Sequence, residues 1–220
     1  MTSAAALCKA LAGLHVLADD AQGWPHDPVA QARAACAGGA AVVQLRAKHA
    51  TDDETLRMAR AIREATTQAG ALFFVNDRFD LALAANADGV HLGQNDLPPG
   101  RIPAECREHL LIGRSTHTPA QLRAAAEEPV AYLAFGPVFG TQSKESDWTP
   151  RGITALAEAV GAAAPRPLVA IGGIGQANIA EIGGVGAGAA VLSAVAGAQQ
   201  MELATRTLVS MLASAQRGQP

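Results

Sequence analysis

The sequence has little with which to hold a polyanion. Its 220 residues carry 17 basic and 20 acidic side chains, and lysine stands at only three positions, Lys9, Lys48 and Lys144. A net charge of −3 supplies no basic face for general nucleic-acid binding. Single-strand binding would need several aromatics among basic residues, whereas Trp24 and Trp148 are isolated. Any anionic ligand must therefore be gripped by a few placed cations. Cysteine is scarce too. Cys8, Cys36 and Cys106 are odd in number, widely spaced and form no CxxC, which reads as free thiols in a reducing compartment. The longest Gly/Ala/Val-rich run, 185–198, is too short to span a bilayer. The opening MTSAAALCKALAGLHVLAD has no basic region ahead of its apolar stretch and is interrupted by Lys9, a poor signal peptide. The expectation is a cytoplasmic protein with small-molecule partners, no nucleic acid and no membrane; a homo-oligomer is left open.

Apolar residues make up 49% of the chain, enough to close one sizeable core. Short apolar runs alternate with longer amphipathic ones eight times, with strands expected at 14–18, 42–45, 72–75, 89–92, 110–113, 131–135, 168–171 and 189–192. Most of these runs are apolar throughout, as in parallel strands covered on both faces. Helices are expected at 28–37, 52–69, 118–128, 153–163, 176–183 and 199–215, with shorter segments after Asp77 and after Asp96. The clearest, 52–69, has Thr51 as N-cap and Asp52, Asp53 and Glu54 in its first turn. Thr118 followed by Pro119 is a cap and an N1 proline. No linker or composition break divides the chain. Eight βα units predict one closed (β/α)₈ TIM barrel, α/β in class, as a single domain over 1–220. The first strand runs into Ala18-Asp19-Asp20, which is not the GxGxxG of a dinucleotide fold.

In such a barrel the chemistry lies where the strands end. The polar residues that propensity leaves unexplained are concentrated there. After strand 2 come Gln44, Arg46 and Lys48, alternate residues that share a face and suit a polar ring carrying phosphates. After strands 3 and 4 come Asp77 and Asp96. Neighbouring strands could bring them onto one hard cation, and Mg²⁺ favours one or two carboxylates with phosphate oxygens. The bland alternative makes Asp77 a helix cap and Asp96 a loop residue. Strand 5 leads into Arg114-Ser115-Thr116-His117, and strand 6 into a glycine-bounded loop, 136–144, with two hydroxyls and Lys144. Gly172-Gly173 after strand 7 and Leu192-Ser193 after strand 8 suit a phosphate held by backbone N–H groups. His15, His26, His49 and His109 fit no ligand spacing; His91 and His117 lie near the mouth.

Together these segments resemble the thiamine phosphate synthase family. The matching motifs, in order, are QLRAK (44–48), NDRFDLA (76–82), ADGVHLGQNDLP (87–98), IGRSTH (112–117), FGPVFGTQSK (135–144), AIGGI (170–174) and the LSA of strand 8, spanning about 14–195. The resemblance implies an enzyme that joins a hydroxymethylpyrimidine diphosphate to a thiazole phosphate, or its carboxylated form, and releases pyrophosphate. It implies that Gln44, Leu45, Arg46, Ala47, Lys48 and Asn76 bind the pyrimidine diphosphate, with Ser115 and Lys144 completing that site. Asp77 and Asp96 would hold Mg²⁺ against the diphosphate. Thr141, Gln142 and Ser143 would contact the thiazole phosphate, and Gly172 or Gly173, Leu192 and Ser193 its phosphate. Arg46, Ser115 and Lys144 are the candidates for catalysis. The sequence departs from the pattern in GLHVLADD of strand 1, where an aromatic is usual, and at Trp148. A thiazole tautomerase of the same superfamily would need no diphosphate site, and a non-catalytic ligand-binding barrel would release no pyrophosphate.

Overall fold

A computed structural model describes residues 3–140 and 148–218. Eight parallel strands close in chain order: β1 (Leu14–Asp19), β2 (Val42–Arg46), β3 (Leu72–Asn76), β4 (Gly89–Leu92), β5 (Leu111–Thr116), β6 (Tyr132–Phe135), β7 (Leu168–Ile171) and β8 (Gly188–Val191). The closure is made by β8 beside β1, with Ala190 opposite His15. Expected and observed strand ends agree to within a residue except at β5. Its expected exit, Arg114, Ser115 and Thr116, is still strand because those residues pair with Leu133, Ala134 and Phe135 of β6.

Around the barrel lie α1 (Ala4–Leu11), α2 (Pro28–Ala37), α3 (Asp52–Ala69), α4 (Phe79–Ala84), α5 (Ala104–Arg107), α6 (Pro119–Ala126), α7 (Gly152–Ala163), α8 (Ile179–Gly184), α9 (Ser193–Ala196) and α10 (Met201–Arg217). α2 and α3 have the expected bounds. Thr51 and Glu54 form a reciprocal capping box at the head of α3, and Thr118 accepts from the Gln121 N–H at the head of α6. The helix α1 is unforeseen by the sequence reading. Ser3 caps it, and Leu7 and Leu11 pack into the barrel interior, closing the end where the strands begin.

The strands alternate between two cores, which is why they read as apolar throughout. Val16, Val43, Leu45, Phe73, Val75, Val90 and Leu133 face the helices and meet Ala59, Ile62, Leu156 and Leu208. Leu17, Val42, Phe74, Tyr132, Ala134, Val169 and Ala190 fill the barrel itself. Gly113 makes room there for the chain's one tyrosine, since a Cβ at this position would sit 2.2 Å from the Tyr132 ring.

Candidate active site

The strands end around a cavity of about 340 Å³. Its β2 wall follows from strand alternation. Gln44, Arg46 and Lys48 line it, while Leu45 is fully buried among the helix-facing residues and Ala47 packs on the same cluster. Any part that Leu45 or Ala47 plays in binding thus falls to their backbone. Arg46 is held by an ion pair in which its Nη1 lies 2.7 Å from Oδ2 of Asp19, a side chain 1% exposed. Asp20, next along β1's exit, accepts backbone N–H bonds from Lys48, His49 and Ala50, each at 2.8 Å. Those bonds outweigh burial and hold the Asp20 carboxyl below the usual carboxylate range. The end of β1 therefore supplies one carboxylate that pairs with the Arg46 cation and a second that fixes the backbone carrying Lys48. Sequence reasoning missed both.

Asp77 follows β3 with φ of 70°, a left-handed backbone that Asp tolerates better than most residues. It does not cap α4, whose N-cap position is Arg78 with no side-chain cap bond. Its carboxylate instead accepts a hydrogen bond from Lys48 Nζ. Asp96 accepts the Gly93 N–H at 2.6 Å. Burial raises the Asp96 carboxyl above its ordinary value and the neighbouring Asp77 charge adds to the rise, while the Gly93 N–H acts against it. A carboxylate whose ionisation is made harder by a neighbouring carboxylate marks a seat for a cation. No group of three or more His, Cys, Asp or Glu side chains suited to a metal occurs among the described residues. A pair is what Mg²⁺ needs when phosphate oxygens and water complete its shell, so these residues fit the ion. Beside them Asn76, which lines the cavity, has a buried Oδ1 without a hydrogen-bond partner.

Gly172, Gly173, Leu192 and Ser193 line the opposite wall, where the short helix α9 begins. Both glycines have positive φ, 102° and 64°. A Cβ on Gly172 would lie 2.6 Å from Pro137, and one on Gly173 would lie 2.3 Å from the Gly140 carbonyl oxygen. Only glycine lets the exits of β6 and β7 approach so closely. His117 and Trp148 stack at the rim with centroids 5.0 Å apart, and the Arg151 guanidinium lies 5.2 Å from the indole centroid. Thr141, Gln142, Ser143 and Lys144 lie outside the described residues.

The floor was largely unread in the sequence. Tyr132, wholly buried, accepts a hydrogen bond from the Gln44 amide at 3.1 Å and lies 2.8 Å from His91 Nδ1. His91 Nε2 lies 2.8 Å from Ser115 Oγ, and His15, wholly buried, lies 3.1 Å from the Gln44 amide nitrogen. The period of two does place these residues with others that line the cavity, His15 in step with Leu17 and Tyr132 in step with Ala134.

The family model described as thiamine monophosphate synthase matches residues 14–195. The chain belongs to that family. It is 47% identical over 203 residues to the thiamine-phosphate synthase of Methanoculleus marisnigri, covering 92% of this chain and 96% of the relative. Against the thiamine-phosphate synthase of Anaeromyxobacter dehalogenans identity is 47% over 195 residues, 88% of this chain and 85% of the other. The solved thiamine phosphate pyrophosphorylase from Pyrococcus furiosus superposes with a TM-score of 0.84 at 35% identity, covering 95% of this chain and 98% of that one. As a thiamine monophosphate synthase family member the chain is an enzyme, a transferase acting on small molecules.

Proposed function

We propose that this protein condenses 4-amino-2-methyl-5-hydroxymethylpyrimidine diphosphate with 4-methyl-5-(2-hydroxyethyl)thiazole phosphate, or its carboxylated form, to give thiamine phosphate and pyrophosphate. One observation carries the reading. A single mouth joins an amide-and-cation wall and Asp77, with Asp96 beside it, to a glycine and helix-start cradle across the barrel. The first wall suits a ring bearing a diphosphate, and the cradle suits a monophosphate. The carboxylate pair has no use in a tautomerase.

The thiazole nitrogen lone pair forms the new bond to the pyrimidine methylene carbon. The C–O bond breaks with its electrons leaving on pyrophosphate, and no proton need move. The aminopyrimidine ring stabilises positive charge at that methylene, so bond breaking leads. Gln44, Asn76 and Ser115 bind the pyrimidine, and the unpartnered Asn76 Oδ1 accepts from an amino group. Arg46, Lys48 and Lys144 meet the diphosphate, with Arg46 and Lys144 stabilising charge on the leaving group. Asp77 and Asp96 would hold Mg²⁺, which neutralises diphosphate charge when bound. Thr141, Gln142 and Ser143 contact the thiazole phosphate, and backbone at Gly172 or Gly173, Leu192 and Ser193 holds its phosphoryl group. Holding both rings in one mouth supplies the positioning.

No helix among the described residues is long and apolar enough to cross a membrane, and Cys8, Cys36 and Cys106 are free thiols. Both accord with a cytoplasmic enzyme. The test is pyrophosphate release on mixing the two substrates with Mg²⁺. Asp77→Ala and Asp96→Ala should each lower turnover at limiting Mg²⁺ by about a hundredfold, the scale of a lost charge-stabilising group, with unchanged circular dichroism. Near wild-type turnover in both would sink the metal assignment, and no release by the native protein would sink the function.

A further inference from the structure

The two most deeply buried polar rings in the barrel, His15 and Tyr132, have no part in the condensation as described. They belong to one line of hydrogen bonds running from the barrel floor to the mouth, and its donors and acceptors can be assigned in only one direction.

The assignment starts at a group that cannot change its role. The Leu11 carbonyl at the end of α1 only accepts, and His15 Nε2 lies 2.9 Å from it. Nε2 must therefore carry the proton. Burial lowers the His15 pKa to about 4, so near neutral pH the ring carries one proton and Nδ1 is a bare acceptor. Nδ1 faces the Gln44 amide nitrogen at 3.1 Å, which fixes the orientation of the amide. The same –NH₂ group donates to Tyr132 Oη at 3.1 Å, so both its hydrogens are used and Oε1 is left as the acceptor of Gln44. With its oxygen accepting from Gln44, the Tyr132 hydroxyl spends its hydrogen on His91 Nδ1 at 2.8 Å. His91 is then protonated on Nε2 and donates to Ser115 Oγ at 2.8 Å. The Ser115 hydroxyl hydrogen is thereby released to point elsewhere. Reversal at the Gln44 link would set the bare His15 Nε2 against the Leu11 carbonyl, and reversal at His91 would leave the hydrogen of the wholly buried Tyr132 hydroxyl without an acceptor. Packing holds the rings in place: Tyr132 meets His15 edge-on at 5.2 Å and stacks with His91 at 5.6 Å.

We propose that this chain is a one-way hydrogen-bond relay, anchored on the Leu11 carbonyl, that makes Ser115 a hydroxyl donor and Gln44 a carbonyl acceptor toward the substrate. His15, Tyr132 and His91 are its positioning residues. An aminopyrimidine has ring nitrogens that accept and an amino group that donates, so a fixed donor and a fixed acceptor select one orientation of the ring. The catalytic consequence rests on the reading that Ser115 and Gln44 touch the pyrimidine; the polarity itself does not.

The polarity can be read without turnover. In protein labelled with ¹⁵N-histidine, long-range ¹H–¹⁵N spectra at pH 7.5 should show His15 and His91 both neutral and protonated on Nε2. A proton on Nδ1 of either ring overturns the relay whatever the activity. Tyr132→Phe keeps the ring over Gly113 and removes the link. It should bring in the Nδ1–H form of His91, leave His15 unchanged, and lower kcat/KM for the pyrimidine diphosphate about tenfold, the scale of one well-made hydrogen bond. Adding Tyr132→Phe to Ser115→Ala should then cost less than twofold more, because both act through one hydroxyl. Full additivity of the two losses overturns the relay. Normal turnover in Ser115→Ala with both rings protonated on Nε2 overturns the substrate contact of Ser115 and upholds the polarity.

Discussion

Removing the Asp20 carboxylate separates a structural anchor from the cation it holds. Three backbone N–H groups of the loop after β2, at Lys48, His49 and Ala50, converge on its two oxygens at 2.8 Å. A protected hydrogen bond to a charged group is worth about 1.5–3 kcal/mol. Asp20 is half-buried and its loop is largely exposed, so water recovers much of that. Allowing about 0.7 kcal/mol for each bond, Asp20→Ala should cost about 2 kcal/mol, or about 4–8 °C in Tm for a chain of this size. Asp20→Asn keeps one oxygen for the His49 and Ala50 N–H groups, turns –NH₂ toward that of Lys48, and should cost about half as much.

The pH dependence has a definite sign. The folded Asp20 carboxyl is held below its ordinary value, so its stabilisation is fully present above the ordinary carboxylate range. It is lost as pH falls through the lower, folded value. The gap in urea midpoint between wild type and Asp20→Ala should therefore be complete at pH 7 and close below about pH 4. The loop also places Lys48 on Asp77. Once it is released, KM for the pyrimidine diphosphate should rise about fivefold to tenfold while kcat falls less, as expected for a lost ground-state contact. Equal melting at pH 7, or a gap that widens on acidification, would refute the account of the anchor. An unchanged KM beside a lowered Tm would refute its link to Lys48.

Gly173→Ala should lower stability by about 2 kcal/mol or more, because φ of 64° disfavours a side chain and the new Cβ would lie 2.3 Å from a backbone oxygen. In the folded variant KM should rise for the thiazole phosphate and not for the pyrimidine diphosphate; a rise in both would count against two separate phosphate sites. Ile62→Ala removes a fully buried contact between α3 and the outer face of the sheet and should cost about 2–5 kcal/mol in urea unfolding, with KM values unchanged in the folded fraction.

The barrel was legible because its physics is local and repeated. A strand covered on both faces must be apolar throughout, and a helix such as α3 announces itself with Thr51, three acids and a 3.6-residue stripe. The strand exits were legible for the opposite reason: Gln44, Arg46, Lys48, Asp77 and Asp96 are residues that no strand or core requires. What escaped depended on pairing between distant segments. Gly113 looked like the end of a strand, yet it is glycine because Tyr132 occupies the space above it, and β5 runs on to Thr116. Asp19 and Asp20 looked like the start of a loop. Their meaning appears only when the β1–β2 register sets Asp19 beside Arg46.

His15 shows the limit most clearly. Alone it is a histidine in an apolar run, and one of its ring nitrogens finds its partner only 29 residues along the chain. The pairing of β1 with β2 brings Gln44 to one nitrogen, and α1, a helix the sequence reading did not foresee, brings the Leu11 carbonyl to the other. The tautomer of a residue that touches no substrate then determines which way the Ser115 hydroxyl points. A polar side chain on the inner face of a barrel is therefore best judged by following its hydrogen bonds to the first group whose role is fixed, here a backbone carbonyl, and reading outward from there.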